Sequence, residues 1–322
     1  MKVRLGKESG ILIVLLTLFV ALSFISPVFL AADNLIDLVR TNVVLGILAV
    51  GMTLVIIIGG IDVSVGAMTA AVTVLLGYFT VAFGFQPLAA LLVSIAGGTL
   101  LGLINGLLVT AIRVHAIVVT LGTLSIYSGI TMYVTGGAWI NNLPVEFIEF
   151  GRIRLFGFLP IQILFLLAVV LATWFMLRYL RIGRAIYAMG GSPVAAERSG
   201  IDTARVQQFV YAYMGFLAGV AAFVHTSIYR QVDPNAFTGF ELQVIAAVVL
   251  GGASIMGGRG SVWGTLLGVA LLALIGNGLT LARISSFWHK VIIGLFIVTA
   301  VSIDMWQRMR QERRMAKIDV MG

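Results

Sequence analysis

Apolar residues in this chain come in runs of about twenty, separated by short glycine-rich or basic joints. Runs of that length match the hydrocarbon thickness of a bilayer. They predict spans near 11–31, 42–60, 66–84, 88–112, 117–137, 160–179, 204–227, 240–257, 262–281 and 286–304. The expected fold class is therefore an all-α polytopic integral membrane protein of about ten transmembrane helices, one domain over 1–322. Re-entrant or broken helices are allowed where glycine-rich joints divide the second, third, eighth and ninth spans. The first run follows Lys2, Arg4 and Lys7 as a signal peptide would, but it is too long for a signal h-region and reads as the first span.

Composition agrees: 60% of residues are hydrophobic, 11% are charged, and 37 are glycine. A net charge of +8 would suggest nucleic acid in a soluble chain. Here topology accounts for it, because with the N-terminus inside the cytoplasmic segments collect 15 Lys and Arg against 6 outside. An even helix count also keeps the basic tail, 305–322, with the N-terminus in the cytoplasm. There is no cysteine, hence no disulfide framework. His115, His225 and His289 share no ligand spacing, so no metal site is expected.

The most polar stretch between spans is Arg178 to Arg205, with five arginines, Glu197 and Asp202. It must lie in water, on the cytoplasmic side. After a flexible Gly190-Gly191-Ser192-Pro193 break, Val194 to Gly200 reads as a short amphipathic helix, with Pro193 suited to its start and Gly200 to its cap. It is either an ordinary solvated loop or a docking helix for a cytoplasmic partner. Two polar segments face outward: 138–160, with Trp139, Phe147 and Phe150, and 225–240, with Tyr229, Arg230 and Asp233. Mixed charge and aromatics suit either an outer protein contact or an interfacial belt.

Asp62, in Gly59-Gly60-Ile61-Asp62-Val63-Ser64-Val65-Gly66, is nearly alone as an acid among the spans. A carboxylate at membrane depth must be capped, hydrated or functional. It could cap the next helix, bind a proton or ion, or act as a gate. The run Gly251 to Ser261 lacks the Gly-Lys-Ser/Thr ending of a phosphate loop and reads as a tight turn between helices. Embedded neutral groups such as Asn105, Thr120 and Asn277 suit an uncharged hydroxylated solute, or simply bond helix to helix. A weak internal echo relates 59–77 to 257–276, each followed by an Asn-Gly pair, Asn105-Gly106 and Asn277-Gly278. No catalytic set appears, so no enzymatic activity is expected. An ion-coupled carrier that uses Asp62 is the alternative to a transporter energised by a partner.

GGIDVSVGAM, GLINGLLVT, VVTLGTLSIYSGI, GRAIYAMGGSPVAAERSGID and VVLGGASIMGGRGSVWGTLLG together resemble the permease subunits of bacterial ABC importers for ribose and similar monosaccharides. The resemblance runs from the first helix through Gly278. It implies a multi-pass protein of the bacterial inner membrane that moves a monosaccharide or sugar-like solute. The implied partners are a second permease copy or paralogue, two cytoplasmic subunits that bind ATP and Mg, and a periplasmic or lipid-anchored sugar-binding protein. No cofactor is expected on this chain and no nucleic acid. The coupling segment would be 180–203, with Gly183, Arg184, Ala195, Ala196, Glu197, Arg198 and Gly200 at the ATPase contact. Asp62, Ser64, Asn105, Thr120 and Asn277 would line or gate the translocation path.

Overall fold

The computed structural model describes residues 7–285 apart from 85 and 113, together with nine scattered positions between 287 and 302. In chain order the elements are α1 (Lys7–Ile25), α2 (Ala32–Ile57), α3 (Val65–Phe83), α4 (Pro87–Ile112), α5 (Ala116–Thr135), α6 (Val145–Phe150), β1 (Arg154–Leu155) and β2 (Leu159–Pro160). There follow α7 (Gln162–Tyr179), α8 (Arg181–Gly191), α9 (Pro193–Arg198), α10 (Thr203–Tyr229), α11 (Phe240–Leu250) and α12 (Val262–Leu281). Seven described helices, α2, α3, α4, α5, α7, α10 and α12, are long and apolar enough to cross a membrane. The described residues thus supply seven such spans where about ten were expected.

Three expected spans make up the difference, the first of them being α1, whose apolar part, Gly10–Ile25, is shorter than a full span. α11 ends at Leu250, because Gly251 and Gly252 turn the chain out of the helix, Gly252 at φ +88°. The expected span 240–257 is therefore a half-helix of 11 residues followed by a turn. The expected span 286–304 lies largely outside the described residues, and the tail 305–322 wholly so. Lys2, Arg4, Arg113 and Lys290 also lie outside them.

α2 is the centre of the bundle. Every residue from Val43 to Ile57 is buried, as expected of a helix that is apolar all round. It touches α7, α10, α11 and α12. Its hydroxyl at Thr53 meets that of Thr265 on α12 at 2.6 Å. The closest helix pair is α4 with α10. Gly98 and Gly102 of α4 face Gly215 and Gly219 of α10, and a methyl on any of the four would overlap backbone of the opposite helix. Small-xxx-small spacing on both helices permits this approach and the dispersion contact that comes with it.

The two outer segments are tied together. Ile140 and Val232 exchange both backbone hydrogen bonds, at 2.9 and 3.0 Å. Phe147 of α6 is fully buried and packs edge-on against Phe223 of α10, ring centroids 5.5 Å apart. Phe147 therefore belongs neither to an outer contact surface nor to an interfacial belt, the two readings open from the sequence: the ring anchors the segment to the bundle. Trp139, Phe156 and Phe158 are the exposed aromatics there.

Gly215→Val should lower unfolding stability by about 3 kcal/mol, because the added side chain must force α4 and α10 apart. Gly129→Ala, with open space around its Cα, should stay within about 0.5 kcal/mol of the parent. Thermal unfolding of both variants in detergent checks this. Equal stability would show that α4 and α10 do not pack through their glycines.

Candidate functional site

Between α2 and α3 the chain is unwound over 58–64, and a chain of buried polar groups holds that break. Gly59 takes φ +80°, which a side chain would resist. Asp62 Oδ1 accepts hydrogen bonds from the Ser64 backbone N–H at 2.9 Å and from the Ser64 hydroxyl at 2.6 Å. Asn105 of α4 donates its amide to Ser64 Oγ at 2.8 Å and accepts from the Tyr127 hydroxyl of α5 at 3.1 Å. Thr120 of α5 accepts from the Val63 N–H and donates to the Ile61 carbonyl, each at 3.2 Å. The break is thus stitched to two neighbouring helices, which meets the demand that backbone freed from a helix at membrane depth find internal partners. Four of the expected path residues, Asp62, Ser64, Asn105 and Thr120, come together here.

Asp62 Oδ2 finds no partner among the described residues, and neither does the hydroxyl of buried Tyr211 on α10. A methyl on Gly60 would lie 2.9 Å from that hydroxyl, so the tyrosine reaches the break itself. Tyr211, Gly59 and Gly60 line a cavity of about 1020 Å³ that extends past Thr110, His115 and Gln207 to Glu197.

The second break, 251–261, is packed against the first. Gly258 N–H donates to the Ile57 carbonyl at 2.8 Å, and Gly257 sits at φ +85° beside Gly59. Both breaks lead into a helix through a serine, Ser64 and Ser261, and Ser261 Oγ accepts from Gly264 N–H at 2.9 Å. The echo between 59–77 and 257–276 therefore has a counterpart in two touching helix–break–helix units. The two Asn-Gly pairs do not correspond. Asn105 reaches across to Ser64, whereas Asn277 of α12 pairs with Asn34 of α2, far from the Asp62 group.

The basic segment lies on these breaks. α8 is amphipathic: Gly183, Ile186 and Met189 are buried, while Arg181 and Arg184 are exposed. Gly190 presses its Cα against the Ile57 carbonyl and the Gly258 N–H, where no side chain would fit. Tyr187 donates its hydroxyl to the Gly260 carbonyl at 2.8 Å, and burial pushes that hydroxyl above its ordinary value, so it remains a donor. The expected flexible break at Gly190 and Gly191 is accordingly corrected: both are helical, and Gly190 is the point of contact.

α9 follows as expected from its residues. Pro193 opens it, Ser192 caps it by accepting from Ala195 N–H at 3.3 Å, and Gly200 closes it at φ +82°. Val194, Ala195, Glu197 and Arg198 are exposed. Ala196 is buried and Gly183 is packed on the α7 backbone, so neither offers a surface to another protein. Both shape the segment instead. Glu197 Oε1 accepts from Thr203 Oγ1 at 2.7 Å, and Arg205 pairs with Asp202 at 2.9 Å, fixing the turn into α10.

Tyr187 was not singled out from the sequence, Gly190 was read only as part of a flexible break, and Tyr211 was not singled out. The 183/186/189 apolar stripe was the available signal for the first two; Tyr211 carries none, since one tyrosine in a long span is ordinary. If Asp62 acts through its Oδ1 cap, Asp62→Asn keeps that acceptor and should hold stability within about 1 kcal/mol. Asp62→Leu strands the Ser64 N–H and should cost about 2 kcal/mol or more. Thermal unfolding compares them, and equal losses in both would show that the charge matters more than the cap.

Residues 34–301 match the family described as branched-chain amino acid transport system / permease component. The ribose import permease protein RbsC of Escherichia coli (strain K12) is 38% identical over 301 residues, covering 92% of this chain and 93% of its own length. The ribose import permease protein RbsC of Bacillus subtilis (strain 168) is 37% identical, with 94% and 92% covered. The autoinducer 2 import system permease protein LsrC of Yersinia pseudotuberculosis serotype O:3 is 34% identical, with 96% and 87% covered. No solved structure matches. With its apolar spans and its match over 34–301, the chain belongs to the branched-chain amino acid transport system / permease component family, as a multi-pass membrane transport subunit.

Proposed function

We propose that this chain is the permease of an ATP-driven importer that carries a monosaccharide or sugar-like solute into the cytoplasm. Its relatives are named for the import of ribose and autoinducer 2, and they align along nearly the whole chain. The observation that carries the mechanism is the seat of α8 on both helix breaks through Gly190 and Tyr187. Energy from ATP reaches such a permease only through a surface in contact with an ATPase. The exposed residues Arg184, Ala195, Glu197 and Arg198, on the most basic segment, supply charge-assisted contacts around a small apolar knob. α8 and α9 then form the coupling segment, and Gly200 sets its exit angle.

The assembly holds two such chains or a chain and a paralogue, two ATPases that bind ATP and Mg, and a sugar-binding protein outside. The membrane is the bacterial inner membrane with both termini cytoplasmic, which the basic residues of 178–205 favour. Closure of the ATPases moves α8, and α8 carries the breaks at 58–64 and 251–261 with it. The Asp62–Ser64–Asn105–Tyr127 chain and Thr120 then act as the gate support that tilts with the break. Neutral amides and hydroxyls on the path suit an uncharged solute.

The test is ATPase activity of the chain reconstituted in lipid with its ATPase, with and without a D-ribose-loaded binding protein. Stimulation by the loaded protein is expected. ATPase-independent uptake driven by an ion gradient would refute the proposal and make Asp62 the ion site. Gly190→Val should leave ATPase association intact and cut uptake about tenfold or more, because the contact that transmits motion is lost. Uptake at the parental rate would show that α8 does not act through this contact.

A further inference from the structure

A second polar cavity, of about 360 Å³, opens between the first turns of α2 and the last turns of α12. It is of the size of small-molecule sites. Its hydrogen-bonding walls are Asn34, Asp37 and Thr41 of α2, Gln243 of α11, and Asn277 and Thr280 of α12. Asn34 and Asn277 exchange amide hydrogen bonds, at 2.9 and 3.4 Å, across the two helices. Thr41 and Thr280 donate to carbonyls of their own helices, and Thr41 Oγ1 also accepts from the Asn42 amide at 3.4 Å, which leaves the Thr280 oxygen the freer acceptor. Leu38, Leu45 and Leu272 are among its apolar walls.

The position of this cavity follows from α2. Its C-terminal residue, Ile57, touches Gly190 of the basic segment, whereas Leu38, in the cavity wall, lies nineteen residues earlier. At about 1.5 Å per residue the two are about 28 Å apart, close to the thickness of the hydrocarbon layer. The cavity thus sits at the membrane face opposite α8. In an importer that is the face from which solute arrives.

Its chemistry narrows the solute. Asn34 spends both amide N–H groups, on the Phe29 carbonyl and on Asn277, so the second N–H of Asn277 and the Gln243 amide donate, the Thr280 oxygen and the Asp37 carboxylate accept, and leucines offer an apolar wall. That combination fits the alternating hydroxyls and C–H face of a sugar ring. Among the described residues no lysine or arginine lines the cavity, and Arg40 pairs with the Asp37 of its wall at 4.0 Å. We infer that this cavity is the outer site where the permease receives its solute, a polyhydroxylated ring held by Asp37, Gln243, Asn277 and Thr280. The inference rests on the importer function proposed above.

The chain contains no cysteine, which permits a background-free test. Thr41→Cys and Thr280→Cys, each placed singly in the assembled transporter in vesicles, are treated with a membrane-impermeant thiol reagent on the side away from the ATPases. D-ribose and L-leucine uptake are then measured. Both cysteines should label, and labelling should cut D-ribose uptake about tenfold or more. Asn277→Leu should do the same without reagent. D-ribose uptake that survives labelling at both positions overturns the cavity assignment alone. L-leucine uptake in place of D-ribose by the unlabelled transporter overturns the sugar assignment and the proposed function with it.

Discussion

The structure depends on one backbone contact. Three glycine-containing segments from distant parts of the chain, ending at Ile57, passing through Gly190 and turning at Gly258, meet without an intervening side chain. Two are breaks in helices that pack in the bundle, and the third belongs to the basic segment outside it. A side chain at Gly190 would separate them, and the distance gained would remove the Gly258–Ile57 hydrogen bond that links one break to the other. Close-packed elements of this kind shift between discrete arrangements rather than deform gradually. Force applied at α8 is therefore felt at both breaks.

A broken helix in an apolar protein needs compensation, and the polar chain from Tyr127 through Asn105 and Ser64 to Asp62 provides it. Asp62 satisfies the Ser64 N–H, Thr120 satisfies the Val63 N–H and the Ile61 carbonyl, and the remaining links hold these side chains in place. Gly59, Gly60 and Glu197 line one cavity, so a continuous space joins the supported break to α9. The outer cavity at Asn34 and Asn277 is a separate group at the opposite end of α2. In the proposed mechanism, substrate contact and energy input lie at the two ends of one central helix.

Much of this was legible in the sequence. The spans expected at 66–84, 88–112, 117–137 and 262–281 fall within two residues of α3, α4, α5 and α12, because long apolar runs leave a helix no other way to satisfy its backbone in lipid. α9 was legible from Ser192, Pro193 and Gly200, whose conformational preferences are local. The polar start of α2 was hidden. A hydropathy window opens the span at 42, whereas the helix begins at Ala32 and carries Asn34, Asp37 and Thr41 at helical spacing. Gly190 and Ala196 were misjudged for a shared reason: small residues in a charged segment look exposed until tertiary contacts are known. Asn277 was grouped with Asp62 by motif similarity, and only the three-dimensional path of α12 separates them.

Pulsed electron-spin distance measurement between labels at Val194→Cys and Met256→Cys, in the assembled transporter before and after ATP trapping, tests the central claim most directly. Both positions are exposed, one on α9 and one in the second break. A distance that stays constant within about 2 Å in the two states is predicted, because the segment and the break move as one body. A larger change would mean that the coupling segment slides past the break, and would contradict the account.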